Sequence, residues 1–166
     1  MKNNIVLERV TLSLITHKHA PALWAVLNEP DVAQYNDYNL PQSRDDIKLL
    51  IQNDLAAYYE GTGVRFAILH NQDNSFMGSV GLYDVSNNQA WLGFELAKSF
   101  WQQGYMNEVL QHLLTIKTVQ VLFPQTVTSI MARVENENTR SVKLLSNLGF
   151  KQYQDSIWLY SINNLI

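Results

Sequence analysis

Apolar and polar residues follow two different periods along this chain. Segments rich in β-branched residues alternate between apolar and polar positions, which is typical of strands. In other segments apolar residues recur every three or four positions, which predicts helices with one buried face. The patterns predict strands at residues 5–16, 64–70, 76–85, 89–96, 126–134 and 153–162 (the last being one strand or a pair), and helices at residues 17–28, 42–59, 104–123 and 138–148.

The order of these elements indicates the fold class. It reads β-α-α-β-β-β-α-β-α-β, with one more strand if the last segment is a pair. The turns at residues 71–75 and 86–88 are short and polar, so the three middle strands are predicted to form an antiparallel meander. We expect a single domain over residues 1–166 of the α/β (α+β) class, with a mixed, mostly antiparallel sheet of six to seven strands flanked by about four helices.

Composition excludes several classes of protein. The 166 residues correspond to one domain, 46% of them are hydrophobic, and there is no cysteine. Disulfides, a thiolate nucleophile and cysteine-ligated metals are therefore excluded. No apolar run is long enough for a membrane helix, and the N-terminus lacks the pattern of a signal peptide. We expect a cytoplasmic protein that does not bind membranes.

The net charge of −3 is unevenly distributed. Residues 97–151 carry six basic and three acidic side chains, so this stretch is positive and the remainder of the chain is strongly negative. A ligand with phosphate groups would favour the first region, and a cationic ligand the second. No run of basic residues marks a nucleic-acid site, so we expect no direct nucleic-acid binding.

A loop between a strand and a helix, at residues 99–106, is the first candidate binding segment. Its sequence is Ser-Phe-Trp-Gln-Gln-Gly-Tyr-Met, and Gly104 lets the backbone approach a ligand closely. The N-terminus of the following helix presents unpaired N–H groups and a partial positive charge, which together bind phosphate oxygens. By itself the glycine is weak evidence for a ligand, because the turn alone is the simpler explanation for it. The glycine-rich motifs of the usual ATP and NAD loops are missing.

The predicted helix at residues 138–148 is the second candidate segment. Asn138 is a typical N-cap residue and Gly149 follows the helix end, so the segment alone indicates only helix capping. Its place in the chain adds more. The succession of strand, glycine turn, long helix, strand, capped helix and Gly-Phe rarely arises by chance.

Together these motifs resemble the GCN5-related N-acetyltransferases (the GNAT superfamily), in particular the RimJ/RimL branch, which acetylates the N-termini of ribosomal proteins. The resemblance covers nearly the whole chain. Residues 7–14, 76–82 and 91–96 are similar to the first, third and fourth strands of the family, residues 101–106 to its pyrophosphate loop, and residues 138–150 to its last helix.

The resemblance implies acetyl-coenzyme A as the cosubstrate. Backbone amides of the loop would bind the pyrophosphate, and the pantetheine arm would lie between two splayed strands, beside the last helix. The residues that the resemblance assigns to the cofactor are Phe94, Leu96, Gln102, Gln103, Gly104, Tyr105, Met106, Asn107, Asn138 and Ser141.

The acetyl transfer requires a base for the acceptor amine and an acid for the leaving thiolate. Glu95, on the strand that would hold the acetyl group, is the first candidate for the base, although a half-exposed strand glutamate is the simpler interpretation. Asp84 and Asp37 are lesser candidates, and a water could relay the proton. Ser141 is the candidate acid, because the position where many relatives carry a tyrosine acid is Leu145.

The loop departs from the family pattern, Gln/Arg-x-x-Gly-x-Gly/Ala. Trp101 takes its first place and Met106 its last, so Gly104 alone is strictly kept. A tryptophan in the first place is familiar in the RimJ/RimL branch.

The acceptor is left open by the sequence. Relatives of this branch act on protein N-termini, and the acidic part of the chain suits a cationic acceptor. A small amine, such as a polyamine or an aminoglycoside, is the alternative. An alternative of another class is a weakly catalytic acyl-coenzyme A-binding module. Tyr35 and Tyr38 are expected to face the acceptor, and a homodimer is an open alternative because relatives are often dimers.

Two histidines raise the question of a metal site. His17 and His19 lie two positions apart at the start of a predicted helix, so they do not share a face. No third ligand lies nearby in the sequence. We therefore expect no metal.

Overall fold

The computed structural model describes residues 4–162, and the strands in this part of the chain form one eight-stranded sheet in the order β1-β2-β3-β4-β5-β6-β8-β7. They are β1 (Asn4–Val6), β2 (Val10–Leu14), β3 (Val64–His70), β4 (Phe76–Ser86), β5 (Gln89–Leu96), β6 (Ser129–Arg133), β7 (Lys151–Gln154) and β8 (Ile157–Ser161). β5 and β6 are parallel, and the other neighbours are antiparallel. The two ends of the predicted domain, residues 1–3 and 163–166, lie outside the described residues.

Helices cover both faces of this sheet. They are α1 (Ala20–Leu27), α2 (Pro30–Ala33), α3 (Arg44–Glu60), α4 (Tyr105–Leu113), α5 (Ile116–Leu122) and α6 (Thr139–Asn147). Apolar residues of α1 and α3 pack together on one face, around Ala67 of β3. Those of α4, α5 and α6 belong to the larger core on the other face. Within residues 4–162, no helix has the length and apolar character needed to cross a bilayer.

Three segments are divided differently from the sequence prediction. Residues 5–16 form two strands, because the chain turns between β1 and β2, where the N–H of Leu7 donates to the Val10 carbonyl at 2.9 Å. Residues 104–123 form α4 and α5, since the Thr115 side chain accepts from the Thr118 N–H and caps a new helix. The last segment is the pair β7 and β8. Residues 4–162 thus contain eight strands and six α-helices, and the fold class is confirmed.

The sheet opens between its two parallel strands. Pairing of β5 with β6 runs from Gln89 to Leu92 on β5 and ends there, opposite Ala132 of β6. β5 continues to Leu96 along β4, while β6 continues along β8. The last four residues of β5 therefore have no neighbouring strand on one edge, and this opening positions the site described next.

Candidate functional site

A cleft with a volume of about 210 Å³ lies at the opening between β5 and β6. The sequence-predicted site residues that line it are Phe94, Glu95, Leu96, Gln102, Gly104, Tyr105, Met106, Asn107, Asn138 and Ser141. Gln103 is the exception: its side chain is exposed and its amide donates to the Ser99 carbonyl at 2.9 Å. The fold thus brings two segments that are distant in sequence, the loop and the start of α6, to one place.

The loop before α4 has an unusual backbone conformation. Gln102 and Gly104 have φ angles of 60° and 79°, in the left-handed region that favours glycine. The indole N–H of Trp101 donates to the Leu96 carbonyl at 2.8 Å, which fixes the start of the loop against the end of β5. This conformation turns the chain sharply into α4, with Gly104 as the N-cap.

Six consecutive backbone N–H groups in this loop are available to a ligand. The first hydrogen bond of α4 runs from the Glu108 N–H to the Gly104 carbonyl at 3.1 Å, and no side chain caps the helix. Within residues 4–162, the N–H groups of residues 102–107 have no hydrogen-bond partner. Unpaired N–H groups at a helix N-terminus, next to turn residues of this kind, form a binding site for anions.

The open edge of β5 supplies further backbone groups. The Leu96 carbonyl accepts a hydrogen bond from the Trp101 indole and so points away from β4. Backbone groups of a strand alternate between its two edges, so the N–H and carbonyl of Phe94, two residues earlier, also point to the open edge. The opposite edge of β5 is occupied by β4. There Gly78 lies so close to β5 that a Cβ at this position would be 2.1 Å from the Glu95 carbonyl oxygen. The edge facing the cleft can therefore pair with an extended ligand.

The N-terminus of α6 forms the opposite wall. Asn138 caps this helix, its side chain accepting from the Ser141 N–H at 3.4 Å. Ser141 is buried and lines the cleft, and its hydroxyl has no hydrogen-bond partner among the described residues. Leu145 is fully buried in the main core instead. An O–H group is thus available in the cleft at Ser141.

Glu95 belongs to a partly buried cluster that also comprises Asp54, Arg65 and Ser79. Its Oε1 accepts from Nη1 of Arg65 at 3.1 Å and from the hydroxyl of Ser79. Nε of Arg65 donates to Asp54 at 2.6 Å. The Glu95 side chain is 12% exposed, and its Oε2 has no partner within residues 4–162. One carboxylate oxygen is held in place, and the other is free to accept a proton.

Burial and charge act against each other in this cluster. Loss of hydration raises the pKa of Asp54, and the adjacent Arg65 partly counteracts this. Burial likewise disfavours the charged form of Arg65, but Glu95 and Asp54 together raise the pKa of the guanidinium. Arg65 therefore stays protonated between two carboxylates.

Several cleft residues have no counterpart in the sequence prediction. Arg140, in the first turn of α6, places its guanidinium 3.4 Å from the centre of the Trp101 ring. Burial lowers its pKa. Asp31 and Asn36, from the segment around α2, line the same cleft. The run of polar and aromatic residues after Pro30 was the one signal in the sequence that could have indicated them.

Other predicted residues lie elsewhere. Asp84 and Asp37 are exposed and do not line the cleft, so Glu95 is the candidate base that the geometry brings to it. Tyr35 lines the cleft as expected. The Tyr38 hydroxyl instead donates to the Leu27 carbonyl at 2.8 Å, which ties this side chain to α1.

His17 and His19 have separate surroundings. His17 is exposed, whereas His19 is buried and its Nδ1 accepts from the Thr16 N–H at 3.0 Å. Among residues 4–162, no three histidine, aspartate or glutamate side chains are arranged to hold a metal ion.

Comparison with known proteins identifies related sequences and structures. A family model described as an acetyltransferase (GNAT) domain matches residues 9–151. An uncharacterized N-acetyltransferase p20 from Bacillus licheniformis is 30% identical over 151 residues, covering 87% of this chain and 80% of that protein.

Solved structures share the fold at low sequence identity. RimL, a ribosomal L7/L12 alpha-N-protein acetyltransferase in complex with coenzyme A, has a TM-score of 0.77 and 16% identity, covering 96% of this chain and 98% of that one. Spermidine N-acetyltransferase from Vibrio cholerae, in complex with coenzyme A and spermine, has a TM-score of 0.75 and 15% identity, covering 91% and 92%. The two structures share a fold and differ in their acceptors.

Proposed function

This chain belongs to the GNAT acetyltransferase family, and on that premise we propose that it transfers an acetyl group from acetyl-coenzyme A directly to a primary amine. One observation carries the proposal. Six unpartnered N–H groups at the start of α4, the open edge of β5 and the N-terminus of α6 converge on one cleft. The phosphate groups of acetyl-coenzyme A would bind the N–H groups at the start of α4. Its activated acyl group would lie between the open edge of β5 and the N-terminus of α6.

The geometry of the cleft supports the following assignment of donor-binding residues. The backbone of residues 102–107 would bind the pyrophosphate, since these N–H groups are unpaired at a helix N-terminus. Phe94 and Leu96 would hold the pantetheine arm along the open strand edge, and Asn138 would lie on its other side. The positive charge of residues 97–151 supports the same assignment.

We propose Glu95 as the base. An amine is protonated in water and must lose a proton before it can attack a carbonyl. The free Oε2 can accept that proton, while Arg65 and Ser79 hold Oε1. The N–H groups of the β5 edge would stabilise the negative charge that develops on the acyl oxygen.

We propose Ser141 as the group that returns a proton to the leaving sulfur. It is buried, lines the cleft and has an unengaged hydroxyl. The tyrosine position of many relatives is occupied here by Leu145, which is packed in the core and cannot supply a proton.

The acceptor we propose is the N-terminal amine of a protein or peptide. Glu95 places in the cleft a carboxylate with one oxygen that is unpaired among the described residues, which suits a cationic amine, and the similar RimL structure is of an enzyme that acts on a protein N-terminus. A small polyamine is the second candidate, favoured by the same carboxylate and by the similar spermidine acetyltransferase. A cytoplasmic location and a homodimer stay predictions.

The first experiment is a thermal-shift comparison of acetyl-coenzyme A with ATP and NADH. A ligand at about 100 times its Kd stabilises a protein by about 2.7 kcal/mol, which raises the Tm of a domain of this size by roughly 5–11 °C. We expect this shift with acetyl-coenzyme A alone. No shift at millimolar acetyl-coenzyme A would contradict the proposed function.

The second experiment measures thiol release with a panel of acceptors. It compares a peptide that has a free N-terminus, the same peptide with its N-terminus blocked and a lysine retained, and spermidine. Release with the first alone supports the peptide N-terminus, and release with spermidine alone supports the polyamine. Binding of acetyl-coenzyme A without release on a wide acceptor panel would favour the weakly catalytic binding module.

A further inference from the structure

We infer that Arg9 is a positioning residue that holds the backbone of the proposed donor-binding loop, residues 102–107. Arg9 is distant from this loop in the sequence. Arg9 lies in the turn between β1 and β2, almost 100 residues before the loop. The inference rests on the proposed function, because it concerns how tightly coenzyme A is held. No sequence motif suggested a role for this side chain.

Arg9 binds the start of α4 through two atoms. Its backbone N–H donates to Oε1 of Glu108 at 2.9 Å, and its Nε donates to Oε2 of the same carboxylate at 2.7 Å. The guanidinium also lies 4.4 Å from the centre of the Tyr105 ring. The side chain of Glu108 is 17% exposed, so this ion pair is partly shielded from solvent and holds the turn against α4.

A third contact reaches the loop backbone itself. Nη1 of Arg9 donates to the carbonyl of Gln103 at 2.8 Å. In a planar trans peptide the carbonyl and the following N–H point in opposite directions. Holding the Gln103 carbonyl on Arg9 therefore directs the Gly104 N–H away from Arg9. Gly104 lines the cleft and Gln103 does not. Arg9 therefore fixes the orientation of the peptide bond that joins these two residues at the edge of the cleft.

The pair also balances charge beside the anion site. Glu108 is the acidic residue in the first turn of α4, where its negative charge would oppose a bound phosphate. Arg9 neutralises that charge. Loss of Arg9 would therefore remove the hydrogen bond that orients the Gln103–Gly104 peptide bond. It would also leave the Glu108 carboxylate without its ion-pair partner beside the proposed phosphate site.

The three contacts at position 9 require an arginine side chain, and another cationic side chain would not make them all. One side chain uses Nε for Glu108, Nη1 for Gln103 and its planar face for Tyr105. A lysine ammonium is a single point charge and cannot make these contacts together. Lysine at this position would keep the charge and lose the fixed geometry.

The test compares two ligands that share a thiol arm. Coenzyme A carries the pyrophosphate, and pantetheine lacks it. For Arg9→Met we expect the Kd of coenzyme A to rise about tenfold, equivalent to about 1.4 kcal/mol, with the Kd of pantetheine changed less than twofold. Arg9→Lys should give an intermediate value for coenzyme A, and it also serves as the usable variant if Arg9→Met does not fold.

Lys98→Met is the matched control. It removes one positive charge near the same loop, but Lys98 pairs with Asp31 at 2.7 Å and does not contact residues 102–107. We expect its Kd for coenzyme A to stay within twofold of the wild type.

Two results would overturn the role of Arg9. One is a Kd of coenzyme A within twofold of the wild type in both Arg9 variants; the other is an equal loss of affinity for coenzyme A and pantetheine, which would show a general structural effect. Failure of the wild-type protein to bind coenzyme A is a distinguishable result, since it would remove the proposed function first and this inference with it.

Discussion

Two parts of the cleft, the loop at residues 102–107 and the surroundings of Glu95, are built from different chemical groups. On the donor side, residues 102–107 present six backbone N–H groups, and the conformation of the chain matters more than its side chains. Around Glu95 the groups are side chains, contributed to the partly buried cluster by α3, β3, β4 and β5. The donor side should therefore be sensitive to backbone strain, and the cluster to the loss of single charges.

Loss of the central cation should have the largest effect. Arg65→Met leaves Asp54 and Glu95 as partly buried carboxylates without their ion-pair partner, so we expect a loss near the lower end of the roughly 3–5 kcal/mol that breaking a fully buried pair costs. For a domain of this size the Tm should then fall by roughly 6–12 °C. Arg44→Met is the control, because Arg44 is exposed and its guanidinium lies over the face of Trp24, away from the cluster. Equal Tm losses in both variants would contradict the importance of the cluster.

Glu95→Gln separates the catalytic use of the cluster from its structural use. Glutamine keeps the shape of the side chain but cannot take a proton, and a general base contributes about 10²–10⁴-fold to rate. We expect kcat to fall at least about 100-fold, with the Kd of coenzyme A unchanged, as measured by thiol release and calorimetry. Asp84→Asn, at an exposed carboxylate outside the cleft, should leave kcat unchanged. A Glu95→Gln enzyme with wild-type kcat would exclude Glu95 as the base.

Gly104→Ala tests the donor side. An alanine in the left-handed conformation costs roughly 1–2 kcal/mol, so we expect the Kd of coenzyme A to rise by about 5–30-fold while kcat at saturating donor changes little. Gly61→Ala is matched to it, because Gly61 also has a left-handed φ of 72° but ends α3, outside the cleft. It should lower the Tm without changing the Kd. Unchanged coenzyme A affinity in Gly104→Ala would show that the loop backbone is not the binding element.

The smallest expected effect is a pH dependence of stability from His19, which directly precedes α1. Burial, reinforced by the charge of Lys18, lowers the pKa of His19 below 6.5 in the folded protein. The unfolded chain therefore binds more protons just below pH 6.5, and stability falls as the pH drops from 6.5 towards the folded pKa. His19→Asn keeps an acceptor for the Thr16 N–H and should reduce this slope in denaturant titrations. His17→Asn, at an exposed position, should leave it unchanged; equal slopes in all three proteins would contradict the assignment.

Local interactions made much of the fold and of the donor side predictable. β5, the start of α4 and α6 depend on residues within a few positions of each other: alternating polarity, Gly104 at a turn, and Asn138 as a cap. The same local patterns missed the turn between β1 and β2, because residues 7–9 contain no glycine, proline or asparagine to mark it.

The sequence by itself therefore determined the class of fold and the turn at Gly104 before α4, where we propose that the donor binds. Only the tertiary structure decided which side chains meet. Arg65 and Glu95 are paired by the register of three strands, and Arg9 and Glu108 by the packing of a terminal turn on α4. The physical reason is that turn and cap conformations are set by neighbours along the chain, whereas an ion pair between distant residues depends on strand register and helix position, which no short segment encodes.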